Sequence, residues 1–252
     1  MLPALVICGL IAAILLSINV GHWIGIRRSR DAGKFRPLHA TVEGAIFGLM
    51  ALLLGFSFSG AASRFENRRK LAIDEANAIG TTYLRLDLLP KAAQPEIRED
   101  FRTYLRSRLA VYEQIPDLGA VRSALDRSSV LQAKIWKEVT TALRDSGPPD
   151  KTLVLTSLNE MLDLAMTRTV ALAAHLPTPV FFMLGLAVIA SSILAGHSMS
   201  VSEPRDWVST LSLAVVLGLA VYLILDYEYP RIGVIRIDRL DDVLVDTLNE
   251  MK

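Results

Sequence analysis

The chain has 252 residues, 27 of them basic and 26 acidic, for a net charge of +1. That balance argues against nucleic acid as a partner, which would call for a basic excess. Apolar residues make up 52%, yet charged ones still make up 21%, too many for a chain of membrane spans alone, so several spans plus a polar domain are expected.

Residues 2–26 form the first apolar run. It lacks a basic leader, is too long for a secretion signal, and "SINVGHW" is a poor cleavage site, so it is expected to stay as span one. Cys8, the only cysteine, sits inside it as a small packing residue, and no disulfide or cysteine-held metal is available. The loop 27–39 then carries five Lys and Arg.

Span two is expected over 40–63. On a helix, Gly44, Gly48, Ala51, Gly55, Ser59 and Ala62 recur at steps of three or four and form one small stripe. Such a stripe lets another backbone approach closely, so Gly44, Gly48, Gly55 and Ser59 are candidate helix-packing positions. Beside it run Phe47, Leu54, Phe58 and Phe65. Bulky apolar rings next to small residues serve ordinary bundle packing, or a narrow dry constriction when several copies surround an axis. Glu43 is the one acid early in this span. A carboxylate in the hydrocarbon would be costly and therefore functional, whereas beside His39 it would lie at the headgroups. His22, His39 and Glu43 lack any metal-ligand spacing, and no metal or cofactor is expected.

From Ala40 to Leu89 there is no proline, so the helix is expected to run past the membrane for about 75 Å at about 1.5 Å per residue. Its extension begins "RFENRRK". Glu43, Arg64, Arg68 and Glu75 are the charged candidates for a ring of fixed charge at a mouth, the alternative for the last three being a solvated or salt-bridged face. The polar segment 64–176 reads as a helical domain. "PEIREDFRTYLRSRLAVYEQIP" puts Ile97, Phe101, Tyr104, Leu105, Leu109 and Tyr112 on one face, with Pro95 at the start and Pro116 at the end. A second helix is expected over 119–145. A third is expected from "SGPPD" to His175, with Gly147 as a stop and Asp150 as the N-cap.

Spans three and four are expected over 180–197 and 207–226, and a tail over 229–252. Trp23, Trp207, Tyr222, Tyr227 and Tyr229 lie near span ends, as aromatic rings at headgroup level do. In the tail, "IGVIRIDRL" alternates like a short strand, and "DDVLVDTLNEMK" reads as an amphipathic helix lying on the membrane or docked on the helical domain. Four spans put both termini and the 64–176 segment on one side. Flanking Lys and Arg number six on the loop side and eight on the other, so the positive-inside rule selects neither orientation.

No phosphate loop, nucleophile elbow or HExxH motif is present, and no side chain stands out as a nucleophile or base, so no enzyme is expected. Two stretches do carry a resemblance: "ALLLGFSFSGAASRFENRRKLAIDEANAIGTTYLRLDLLP" (51–90) and "LILDYEYPRIGVIRID" (223–238). Together they resemble the bacterial and plant membrane family with a bestrophin-like domain. The resemblance implies an all-α fold with four transmembrane helices and a helical bundle between spans two and three. It implies a multi-pass protein of the bacterial inner membrane, a homo-oligomer, and channel activity toward monovalent ions with span two facing the axis. By that analogy Phe47, Leu54 and Phe58, taken from the helical stripe, are the candidate pore-lining residues. The chain is shorter than true bestrophins and lacks an acidic calcium clasp, since "RLDDVLVD" has the acids without the loop, so calcium gating is not implied. The alternative is a membrane-anchored helical interaction or sensor module without a pore.

Overall fold

The computed structural model describes residues 2–29, 37–114, 117–200, 206–231, 233–236 and 241–251. Its helices are α1 (Leu2–Ser29), α2 (Pro37–Arg85), α3 (Gln94–Glu113), α4 (Leu118–Ala142), α5 (Pro148–Ala173), α6 (Thr178–Met199), α7 (Trp207–Glu228) and α8 (Asp241–Glu250). No strand occurs among the described residues. Four helical segments are long and apolar enough to cross a bilayer. The chain is therefore an all-α membrane protein with four transmembrane helices and a helical bundle between the second and third. By backbone packing it forms two compact units: Met1–Phe65 with His175–Ile235, and Glu66–Ala174 with Arg236–Lys252.

The membrane unit is built on α1, which lies backbone to backbone against α6 and α7. Glycine makes the first contact possible. A Cβ at Gly21 would overlap the Ile193 carbonyl, one at Gly25 the Ser200 hydroxyl, and one at Gly196 the Ile18 carbonyl. "GHWIG" is thus a small-xxx-small seam on α1 facing a glycine of α6. Ile14, Ile18, Val188, Ala214 and Leu217 fill the core around it, with Met50 of α2.

The second unit is an amphipathic bundle. Phe101, Tyr104 and Leu105 of α3 are fully buried, with Ile135 and Val139 of α4 and Leu158 of α5. Asp117 caps α4 by accepting the Gly119 and Ala120 amides at 3.0 and 3.1 Å. At the next break Gly147, not Asp150, holds the N-cap position, because Pro148 and Pro149 have fixed φ suited to the first turn, which also contains Asp150. The tail also departs from its strand-like alternation. Residues 233–236 are bend and loop, and 237–240 lie outside the described residues. α8 docks on the helical unit: Leu244 and Met251 enter its core, and the Arg102 Nε donates to the Met251 carbonyl at 2.8 Å.

One seam of this bundle holds two acids that each keep one oxygen without a donor. Asp100 Oδ2 and Glu138 Oε2 are both buried and accept no hydrogen bond, while Lys134 lies 2.8 Å from Asp100 and 3.4 Å from Glu138. Burial pushes the Glu138 carboxyl up, and the Asp100 carboxylate adds to this against the pull of Lys134. The native state then holds that proton more tightly than the unfolded chain. The associated stability is present below the ordinary carboxylate value of about 4.3 and is lost as pH rises through the raised one. Glu138→Gln, an imitation of the protonated acid, is expected to raise the melting temperature at pH 7.5, with the gain shrinking toward pH 4.5. Thermal scans of the whole chain in detergent check this. A lower melting temperature at pH 7.5 would show that Glu138 acts as an ionised partner of Lys134.

Candidate functional site

Span two, the apolar part of α2, turns one side inward. Phe47 and Leu54 are half-buried against the core formed with α1, α6 and α7, beside buried Met50. Ser57 and fully buried Ala61 continue this side. The small stripe faces the other way. Gly44, Gly48, Gly55 and Ser59 are exposed, and a Cβ at any of the three glycines would meet nothing within 4 Å. Within one chain, close glycine packing belongs to α1 and α6. Phe58 borders the open side at 41% exposure, and Phe56, which the periodicity did not single out, is 68% exposed. Of the three residues taken from the bulky stripe, Phe47 and Leu54 are thus packed within this chain, and Phe58 is on the edge of the open face.

The charged candidates separate in the same way. Glu43 is half-buried, with its Oε1 3.9 Å from His197 Nδ1, too long for a hydrogen bond. The side chain of His39, its expected neighbour, lies outside the described residues. Arg64 donates through Nε to Glu228 Oε1 at 2.6 Å, and a second guanidinium nitrogen bonds the same oxygen. Arg68 is buried and donates to the carbonyls of Ala171 and Ala174, at 3.2 and 2.6 Å. It satisfies the last turn of α5, whose final carbonyls have no intrahelical donors.

Glu75 is not on the surface at all. It is fully buried and receives Arg108 Nε at 2.6 Å and Arg168 Nη1 at 2.7 Å. Tyr112 completes the cluster: its hydroxyl accepts from Arg108 at 2.7 Å and donates to Glu75 at 3.3 Å, and its ring lies 3.8 Å from the Arg168 guanidinium. Burial alone would push the Glu75 carboxyl up, but the two guanidinium groups outweigh it and hold the acid below the usual range. Burial pushes the Tyr112 hydroxyl up, and the Tyr104 hydroxyl up to about 12. Both phenols therefore stay protonated. The cluster joins α2, α3 and α5, and its charged groups are buried.

A family model for the bestrophin-like domain matches residues 9–241. None of the curated proteins matches the chain. Among solved structures, two point variants of a bacterial bestrophin homologue from Klebsiella pneumoniae align with a TM-score of 0.71 at 16% identity. One alignment covers 96% of this chain and 98% of the other, the second 97% of each. A structure described as a membrane protein aligns with a TM-score of 0.69, also at 16% identity, over 96% and 98%. At this identity the likeness is one of fold.

Proposed function

The chain belongs to the bestrophin-like family, and from that premise we propose that it is an oligomeric ion channel of the membrane, with the open face of α2 directed at the axis or at the adjoining copy. The observation that carries this reading is the uncovered small stripe. A helix buried in its own four-helix set would have its closest-packing side covered, yet Gly44, Gly48 and Gly55 face open space in the single chain. Copies arranged about an axis would cover that side and leave a ring of apolar side chains at the narrowest point. Phe58 is the candidate for that ring. Phe47 and Leu54, expected beside it, would set the wall from behind. The exposed apolar residues Ile73 and Leu84 on α2, and Met166 and Val170 on α5, support contact between copies in the helical bundle.

Glu43 is the remaining charged candidate for the mouth, because Arg64, Arg68 and Glu75 are each engaged by groups of their own unit. The ions would be monovalent, and the protein that of a bacterial inner membrane. Purified protein in liposomes is expected to conduct, and Phe58→Ala to change the unitary current several-fold while the oligomer stays intact in detergent. A confirmed oligomer with no current above empty liposomes overturns the channel reading. A strict monomer favours the module without a pore.

A further inference from the structure

α6 and α7 pack closely on α1, and α2 joins this set along its inward side, through Met50 and Ala61. At the Phe58–Phe65 end of the span, where Ala61 packs on Leu184 and Ile224, two consecutive residues of α7 add directed contacts. The Tyr227 ring sits edge-on between Phe58 and Phe65, with centroids 5.5 and 5.3 Å away and planes at 88° and 89°. Glu228, fully buried, takes Arg64 through two guanidinium nitrogens. Phe58 and Phe65 lie nearly above one another, and Arg64 is about 100° round the helix from Phe65. Contacts from two directions fix rotation as well as height.

The gripping residues are themselves held. Asp226 accepts the Val234 amide at 2.9 Å and the Ile235 amide at 2.9 Å, which closes the turn that leaves α7. Gly233 lies so near the Asp226 carboxylate that a Cβ there would overlap it. The second oxygen of Glu228 accepts the Leu176 amide at 3.3 Å and lies 3.5 Å from His175 Nδ1, and the His175 ring stacks on Tyr229. The end of α7 is therefore tied to the start of the third span, and only then to α2.

We propose that Tyr227 and Glu228 are positioning residues that set the rotation of α2 and hence the facing of Phe58. The inference rests on the reading of α2 as the pore wall for its functional consequence, but not for its geometry. The test uses the full chain in liposomes: label mobility is read with Cys8→Ser and a nitroxide on Ser59→Cys, next to Phe58, and current on the unlabelled chain. Tyr227→Ala and Glu228→Gln are expected to raise label mobility at position 59 and to change the current several-fold. Tyr227→Phe, which keeps the ring, is expected to match the parent, and a label on Ala12→Cys in α1 to stay unchanged. Should Glu228→Gln not fold, Tyr227→Ala carries the test. Unchanged spectra at position 59 overturn the proposal, as does equal loosening at position 12. A loosened label in a protein that conducts nothing supports the positioning role and sinks the channel reading alone.

Discussion

Glu75→Gln is expected to destabilise the helical bundle by about 3–5 kcal/mol, the range measured when one partner of a buried ion pair is removed. The substitution leaves the shape almost unchanged and removes the negative charge shared by two buried guanidinium groups, Arg108 at 2% exposure and Arg168 at 4%. Neither can shed its proton. The loss is read from denaturant unfolding by Trp136 fluorescence, with Trp23 and Trp207 replaced by Phe. The pH dependence has a definite sign. Because the native Glu75 carboxyl is held below its ordinary value, its stabilisation is complete above about pH 4.3 and is lost only as pH falls through the lowered value. The difference between parent and variant should therefore be the same at pH 7.5 and pH 5. A variant within about 1 kcal/mol of the parent would mean that water reaches the cluster.

A charge-free version separates the two sources of that cost. Glu75→Leu with Arg108→Met and Arg168→Met removes every ion at once and is expected to recover most of the stability, since a buried ion set seldom outperforms apolar side chains of similar volume. Recovery assigns the loss in Glu75→Gln to stranded cations. If the triple variant is as unstable as the single one, disturbed packing around Tyr112 causes most of the loss.

Much of this architecture is legible in the sequence, because apolar length and helical period respond to one-dimensional constraints. The four spans, the uninterrupted α2 and the inward faces of α3 and α4 follow from those. The buried cluster also leaves a trace in the sequence, fainter than the periodicity around it. Arg108 occupies the same stripe as Phe101, Tyr104, Leu105 and Tyr112, and Arg168 the same stripe as Leu158, Met161 and Ala165. Opposite charges on the apolar sides of neighbouring helices are costly unless they meet, so Glu75 had two prospective partners. What no period could supply is which side of α2 is covered. The small stripe and the rows Phe47, Leu54 and Phe58 have the same spacing whether they face a protomer, lipid or an axis. Likewise Glu228 lies 164 positions from Arg64, and nothing local announces their pairing.

The glycines of α1, α6 and α2 yield opposite predictions from one substitution. Gly196→Ala places a methyl group against the Ile18 carbonyl, and no flexible side-chain end is there to yield. The α1–α6 crossing must widen, at a cost of about 1–3 kcal/mol or more. Gly21→Ala meets the Ile193 carbonyl and should behave alike. Gly48→Ala has open space around it in the single chain, so the protomer should gain roughly 0.5–1 kcal/mol from the better helix former. If copies pack on that stripe, as the proposed channel requires, the same methyl group weakens the oligomer instead. Thermal scans and sizing in detergent, run on Gly196→Ala and Gly48→Ala together, separate these effects. A Gly48→Ala protein that melts no lower yet elutes as a smaller species places the neighbouring copy on this face of α2. One that keeps both its melting temperature and its size moves the contact elsewhere on the helix.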